Sequence, residues 1–199
     1  YVGEDITERI QKVRDAMKEK GADVLVLTKL EDPCWMLNIR GNDIESTPVS
    51  YAFAVVTENE VIYYVDKEKV TDEVEKYFAE AKVTLKGYND IEKDLEDLKD
   101  KKIWVNLRSF NTSFYSHLDS SNQIINEDSP VVLFRAIKNE TELTNTINAH
   151  IKDGVAMVRF LYWLKHNIQT VPMTERSAED KLLSFREEQE GFIEPSFHT

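Results

Sequence analysis

Four histidines, one cysteine and 37 acidic side chains are the residues that could do chemistry in this 199-residue chain. His117, His150, His166 and His198 are scattered, and none stands in an H-E-x-x-H pair that could hold zinc beside a general base. Cys34 has no histidine or second cysteine near it in sequence to activate it or share a metal. Beside Trp35 it reads as a small buried apolar residue. With so many carboxylates some pairs must arise by chance. Asp43 with Glu45 is the one pair in a loop worth following, and a solvated surface accounts for it most simply. Arg40, in the same loop before Gly41, has two open readings. It contacts a substrate near a cleft, or it shapes the loop through a hydrogen bond or ion pair. Asn42 and Asp43 are turn formers first and ligand contacts second. No residue in the chain is assigned as catalytic or as a metal ligand, and no cofactor is assigned to the chain itself.

The elements that must position these residues follow from pattern. Hydrophobic residues make up 41%, enough to close a core and too many for a disordered chain. A net charge of −12 repels phosphate backbones and argues against nucleic-acid binding. No apolar run approaches ~18 residues, so no membrane span is expected. A single cysteine excludes an internal disulfide and fits a reducing, cytoplasmic compartment.

Asp5 with Glu8 caps a helix whose apolar positions are Ile6, Ile10, Val13 and Met17, and Gly21 ends it. Val24 to Leu27 is a continuous apolar run, hence a strand buried on both faces. A short helix is expected over Pro33 to Leu37, and a polar loop over 40–48. Tyr51 to Thr57 and Val61 to Val65, joined by Glu58-Asn59-Glu60, form a hairpin. A helix over 70–77, a strand over 83–85, a helix around Ile91 to Leu98 and a buried strand over 103–105 follow. Asn111 to Leu118 is a helix or turn, and Ile124-Ile125 an edge strand. This is an α/β pattern: a mixed β-sheet flanked by helices.

From Asn139 the period changes. Asn139 with Glu142 caps a helix of roughly 30 residues. Its stripe is Leu143, Ile147, Ile151, Val155, Val158 and Tyr162. A second helix runs from Thr174 to about Glu188, and Phe192 to Thr199 is extended. Two helices and a tail need another layer to cover them. The expected division is 1–135 and 136–199, with self-association through the uncovered stripe.

These segments carry a family resemblance. W-M-L-N-I-R-G-N-D (Trp35 to Asp43), followed by Pro48 and Val49, resembles the second domain of three-domain Xaa-Pro aminopeptidases (aminopeptidase P). The strand-plus-Asp turn from Leu27 to Asp32 precedes it as in that family. Y-V-G-E-D at the start is similar to their linker from domain one to domain two. I-K-N at 137–139, H-I-K-D-G at 150–154 and S-F-H-T at 196–199 are similar to the opening of their pita-bread metallopeptidase domain.

The resemblance implies a creatinase N-terminal-like domain over 1–135, then two helices of a truncated pita-bread domain over 136–199. The absence of Met at position 1 and the stop at Thr199 make a fragment the expectation. The family removes an N-terminal residue preceding proline, using two divalent metals, usually manganese, and a bridging hydroxide. Its two Asp, one His and two Glu ligands lie downstream of this segment. The fragment is therefore expected to be inactive and metal-free, with peptide substrates belonging to the parent. Arg40, Asn42, Asp43 and His198 are the substrate-cleft candidates, His198 being equally readable as a solvent-facing strand residue. The alternative is the front of a metal-free pita-bread module that binds peptides or histones.

Overall fold

The computed structural model describes residues 1–197. Its backbone divides into two compact units: Glu4–Ile137, and Tyr1–Gly3 together with the residues from Lys138 onward.

The first unit holds one six-stranded sheet in the order β4-β3-β2-β1-β5-β6. The strands are β1 Val24–Leu27, β2 Ala52–Thr57, β3 Val61–Val65, β4 Val83–Gly87, β5 Lys102–Val105 and β6 Gln123–Asn126. β2 is antiparallel to both β1 and β3. The pairs β3–β4, β1–β5 and β5–β6 are parallel. The sheet is therefore mixed, and the hairpin and the last edge strand lie where the pattern places them.

Helices cover both faces, as a sheet with parallel pairs requires. They are α1 Ile6–Lys20, α2 Glu31–Met36, α3 Asp72–Glu80, α4 Asp90–Glu96, α5 Thr112–His117 and α6 Pro130–Ala136. Alternate residues of each strand point to opposite faces. Leu25 and Leu27 join a core with Ile6, Ile10, Val13 and Met17 of α1, Phe78 of α3 and Val131 of α6. Val24 and Val26 join the other core, with Ile91 and Leu95 of α4 and Phe114 of α5. α1 starts on the Asp5–Glu8 capping box and ends at Gly21, whose φ of 68° is the left-handed conformation glycine adopts without strain.

Two details differ from the pattern. The helix expected from Pro33 starts at Glu31, which puts Pro33 in its first turn, where its missing N–H leaves nothing unbonded. α6 is an added helix. Ser129 caps it and Pro130 opens it, but its run of Val131, Val132, Leu133 and Phe134 shows no helical period.

The second unit is α7 Glu140–Asn167 and α8 Glu175–Glu187. Asn139 and Glu142 form the capping box of α7, and Thr174 and Ser177 that of α8. Asn139 Nδ2 also donates to the Val2 carbonyl at 2.7 Å, and Asn145 Nδ2 to the Tyr1 carbonyl at 2.9 Å. The helices are joined by Arg186 Nε on Asp153 at 2.7 Å and by the Arg159 guanidinium 4.5 Å over the Phe185 ring. Ala156 and Phe185 are the buried apolar residues of this unit among the described residues. Residues 192–197 form no regular strand.

Candidate functional site

The loop between α2 and β2 is fixed at its start by a buried cation. Arg9 of α1, fully buried, donates from Nη1 to the Trp35 carbonyl at 2.7 Å and lies 4.3 Å over the Trp35 ring. Its charge is matched by Glu4, 3.4 Å from Nε. Tyr77 Oη donates to the Leu37 carbonyl at 3.2 Å. Asn38 then takes a φ of 52°, turning the chain out of the helix.

The turn exposes Arg40, whose Nη1 reaches the adjacent Ile39 carbonyl at 2.8 Å. Gly41 lies so close to the returning strand that a Cβ there would sit 2.2 Å from Ser50 Oγ and 2.8 Å from the Val49 carbonyl. Only glycine fits without moving backbone. Asn42 is exposed.

Asp43 is committed to structure. Its Oδ2 accepts from the Tyr51 N–H at 2.7 Å and its Oδ1 from Lys69 Nζ at 2.7 Å. The Lys69 hydrogen bond, then the Tyr51 N–H, hold this carboxyl below the usual aspartate range. The loop thus presents Arg40 and Asn42 outward and uses Asp43 as a brace. His198 lies outside the described residues.

The brace leads to a cleft that the sequence did not announce. Lys69 also sits 5.7 Å from the centre of the Tyr51 ring. Tyr51, Val65, Asp66, Lys67, Lys69, Gly87, Tyr88 and Asn89 line an open cleft of about 580 Å³. Three separate segments build it: the start of β2, the turn after β3 and the turn after β4. Their distance along the chain is why no spacing reveals it.

A second polar place is the crevice where β1 and β5 end. Asp32 is buried there at 1% exposure. Burial raises its carboxyl to about 6, against the pull of Arg135, whose Nε lies 3.4 Å away, and of Lys29. Asn106 Nδ2 donates to Asp128 at 2.6 Å, and Lys29 Nζ is 3.2 Å from the same carboxylate. The crevice has room for about 10 Å³, a single water and no substrate.

The remaining candidates do not converge. Cys34 is buried, and burial pushes its thiol up, away from nucleophilic thiolate. His150 and His166 bond to the carbonyls of Thr146 and Tyr162 one turn back in α7. His117 contacts Glu96 at 2.6 Å on the surface of α5. Among the described residues no three His, Cys, Asp or Glu side chains gather as a metal would need. No described helix is long and apolar enough to cross a membrane.

Comparison with known proteins gives this geometry a family. The creatinase/prolidase N-terminal domain family matches residues 1–142. Xaa-Pro aminopeptidase 1 of Dictyostelium discoideum is 34% identical over the whole chain, which covers 32% of that protein. Aminopeptidase P1 of Arabidopsis thaliana is 31% identical, again over the whole chain and 38% of that protein. The crystal structure of an X-prolyl aminopeptidase from Caenorhabditis elegans, described as a cytosolic enzyme with a di-nuclear active site, superposes with a TM-score of 0.91. It is 25% identical, over 98% of this chain and 33% of that one. The chain spans about a third of the length of the curated relatives it matches. It belongs to the creatinase/prolidase N-terminal domain family.

Proposed function

We propose, with that membership as the premise, that the chain is the non-catalytic front portion of a metal-dependent Xaa-Pro aminopeptidase. The parent removes an N-terminal residue that precedes proline. The observation that carries the reading is similarity along the entire chain, 1–199, to proteins named for that activity. Residues 1–135 act as the creatinase-type domain and 136–199 open the catalytic domain. The residues present do not fit a metal pair, since no ligand cluster forms among the described ones. The two divalent ions, manganese in our reading, belong to side chains elsewhere in the parent, and the chemical step belongs there with them. We place the parent in the cytosol, in keeping with the cytosolic relative and with a lone, buried thiol.

Within the parent, the loop at 40–43 borders the peptide cleft. Arg40 and Asn42 meet the substrate, and Asp43 holds them in place through Tyr51 and Lys69. The gene read beyond Thr199 should encode Asp, Asp, His, Glu and Glu in that order; a continuation without them would overturn the peptidase reading. The chain by itself, given manganese and an Xaa-Pro peptide, should release no amino acid above a buffer control.

The stripe on α7 supports a second part of the reading. Leu143, Ile147, Ile151, Val155, Val158 and Tyr162 are all exposed, Val158 and Tyr162 at 67%. Over about five turns such a face drives association. The isolated chain should therefore self-associate in sedimentation, and an Ile151→Asp, Val158→Asp variant should stay monomeric. An unmutated chain that stays monomeric, or a variant that associates equally, would remove this part and leave the peptidase reading intact.

A further inference from the structure

We infer that the cleft beside the loop is a binding site for a flat ring bearing a carboxylate, the ring held by Tyr51 and Tyr88 and the carboxylate by Lys67 and Asn89. The inference rests on the cleft alone and not on the peptidase reading.

The aromatic walls are fixed before any ligand arrives. Tyr88 packs on Phe53 with ring centres 4.9 Å apart, and Phe53 in turn meets Phe114 edge-on at 4.9 Å. Tyr51 is held by its backbone bond to Asp43 and by the Lys69 ammonium over its ring. Both rings nevertheless stay accessible, at 47% and 36%. Exposed aromatic rings on a rigid support offer contact area at small entropic cost, and planar groups stack on them.

The polar groups around the cleft divide by what they already hold. Lys69 is taken by Asp43. Asp66, which also lines the cleft, accepts from the Glu68 N–H and keeps a charge that acts on the Lys69 ammonium, and Asp90 accepts from the Gly87 N–H. Lys67 and Asn89, both exposed and both lining the cleft, hold no carboxylate or carbonyl with their side chains among the described residues. Two donors without acceptors beside two rings match an anionic group attached to a ring. Lys69 being balanced by Asp43 and Asp66, the unbalanced charge of the lining is the Lys67 ammonium, which favours an anion, and an aliphatic acid would leave the rings unused. At about 580 Å³ the cleft is large enough for an indole or phenyl acid.

That chemistry has two sources, a free aromatic acid or the C-terminal aromatic residue of a peptide. The test is an amide-shift NMR titration of the ¹⁵N-labelled chain with indole-3-acetate, with the peptide Gly-Gly-Trp acetylated at its N-terminus, and with the uncharged amide of each. Saturable shifts at Gly87, Tyr88 and Asn89 are expected for at least one acid, with Kd on the order of 1 mM for a ligand this size. The neutral amides should bind at least fivefold more weakly. A response to Gly-Gly-Trp that exceeds indole-3-acetate identifies a peptide end; the reverse identifies a free acid. Lys67→Gln, on an exposed 3₁₀ turn, should keep the fold and bring the acid down to the affinity of its amide. Equal binding of acid and amide, shifts mapping outside the cleft, or no saturable shift from either acid would overturn the inference.

Discussion

The two units of this chain are built on opposite terms. Residues 4–137 close two cores, one on each face of a sheet, so that strands such as β1 and β3 are buried along their whole length. The helical unit buries only Ala156 and Phe185 among its described apolar residues and leaves a stripe of six exposed. Charge carries much of its internal contact, through Arg186 with Asp153 and Arg159 with Glu188. Exposed ion pairs are worth about 0–1 kcal/mol each. A helix can therefore be long and well capped and still owe little of its stability to its own chain.

The sharpest way to break that contrast is truncation. Leu25→Ala, fully buried on β1, should cost about 2–5 kcal/mol in urea unfolding. Val158→Ala on α7 should stay within about 0.5 kcal/mol. Similar losses at both sites would mean that the stripe is covered after all.

A second effect belongs to the sheet unit and depends on pH. Asp32 titrates near 6 in the fold against 3.8 in the open chain, so between those values the native state holds the extra proton. Stability from this group is then greatest at low pH and falls as pH rises through the window, by about 3 kcal/mol. Asp43, held low by Lys69, pulls the other way and loses its contribution on acidification. Asp32→Asn isolates the first effect. Its stability relative to the unmutated chain should climb from pH 4 to pH 7, and a flat difference would refute the buried-carboxylate account.

Within the loop the same comparison runs at smaller scale. Asp43→Ala removes two hydrogen bonds and should cost about 1–2 kcal/mol. Arg40→Ala, three residues away, should leave the unfolding midpoint unchanged, because Arg40 is exposed and its guanidinium hydrogen-bonds, among the described residues, to the neighbouring carbonyl alone. In an intact peptidase the same change should raise KM. A loss of stability at Arg40 comparable to that at Asp43 would make it a loop-shaping residue only.

The sequence was most legible where one period dominates. Val24 to Leu27 and Ile103 to Val105 are apolar throughout because both sheet faces are covered. The capping boxes at Asp5, Asn139 and Thr174 announce their helices through residues three apart. α6 was hidden because Val131, Val132, Leu133 and Phe134 carry the composition of a strand, and only Ser129 and Pro130 mark a helix start. Arg40 and Asn42 were legible as residues of a polar loop, but nothing local told that the Asp43 carboxylate bonds Lys69, 26 residues away. The cleft was illegible for the same reason, since Tyr51, Lys67 and Asn89 meet only through the sheet.

The seam between β1 and β5 carries a kinetic consequence. Two register pairs join the strands there, Val24 with Ile103 and Leu25 with Trp104. At their foot Lys102 N–H donates to Asp23 Oδ2 at 2.8 Å, across 79 residues of chain. β1 to β4 form one nearly local sheet and β5 with β6 another, so the seam closes the longest loop for the fewest contacts. Loop closure of that kind sets the height of a folding barrier more than the depth of the native well. Weakening the seam at Ile103 should slow refolding nearly in proportion to the stability lost, whereas weakening Val65 at the far end of β3 should mainly hasten unfolding. Stopped-flow chevrons of the two variants would show it. On that expectation the sheet that looks continuous in space is, in time, ordered outward from its β1–β5 seam, with the far end of β3 settling after the barrier is crossed.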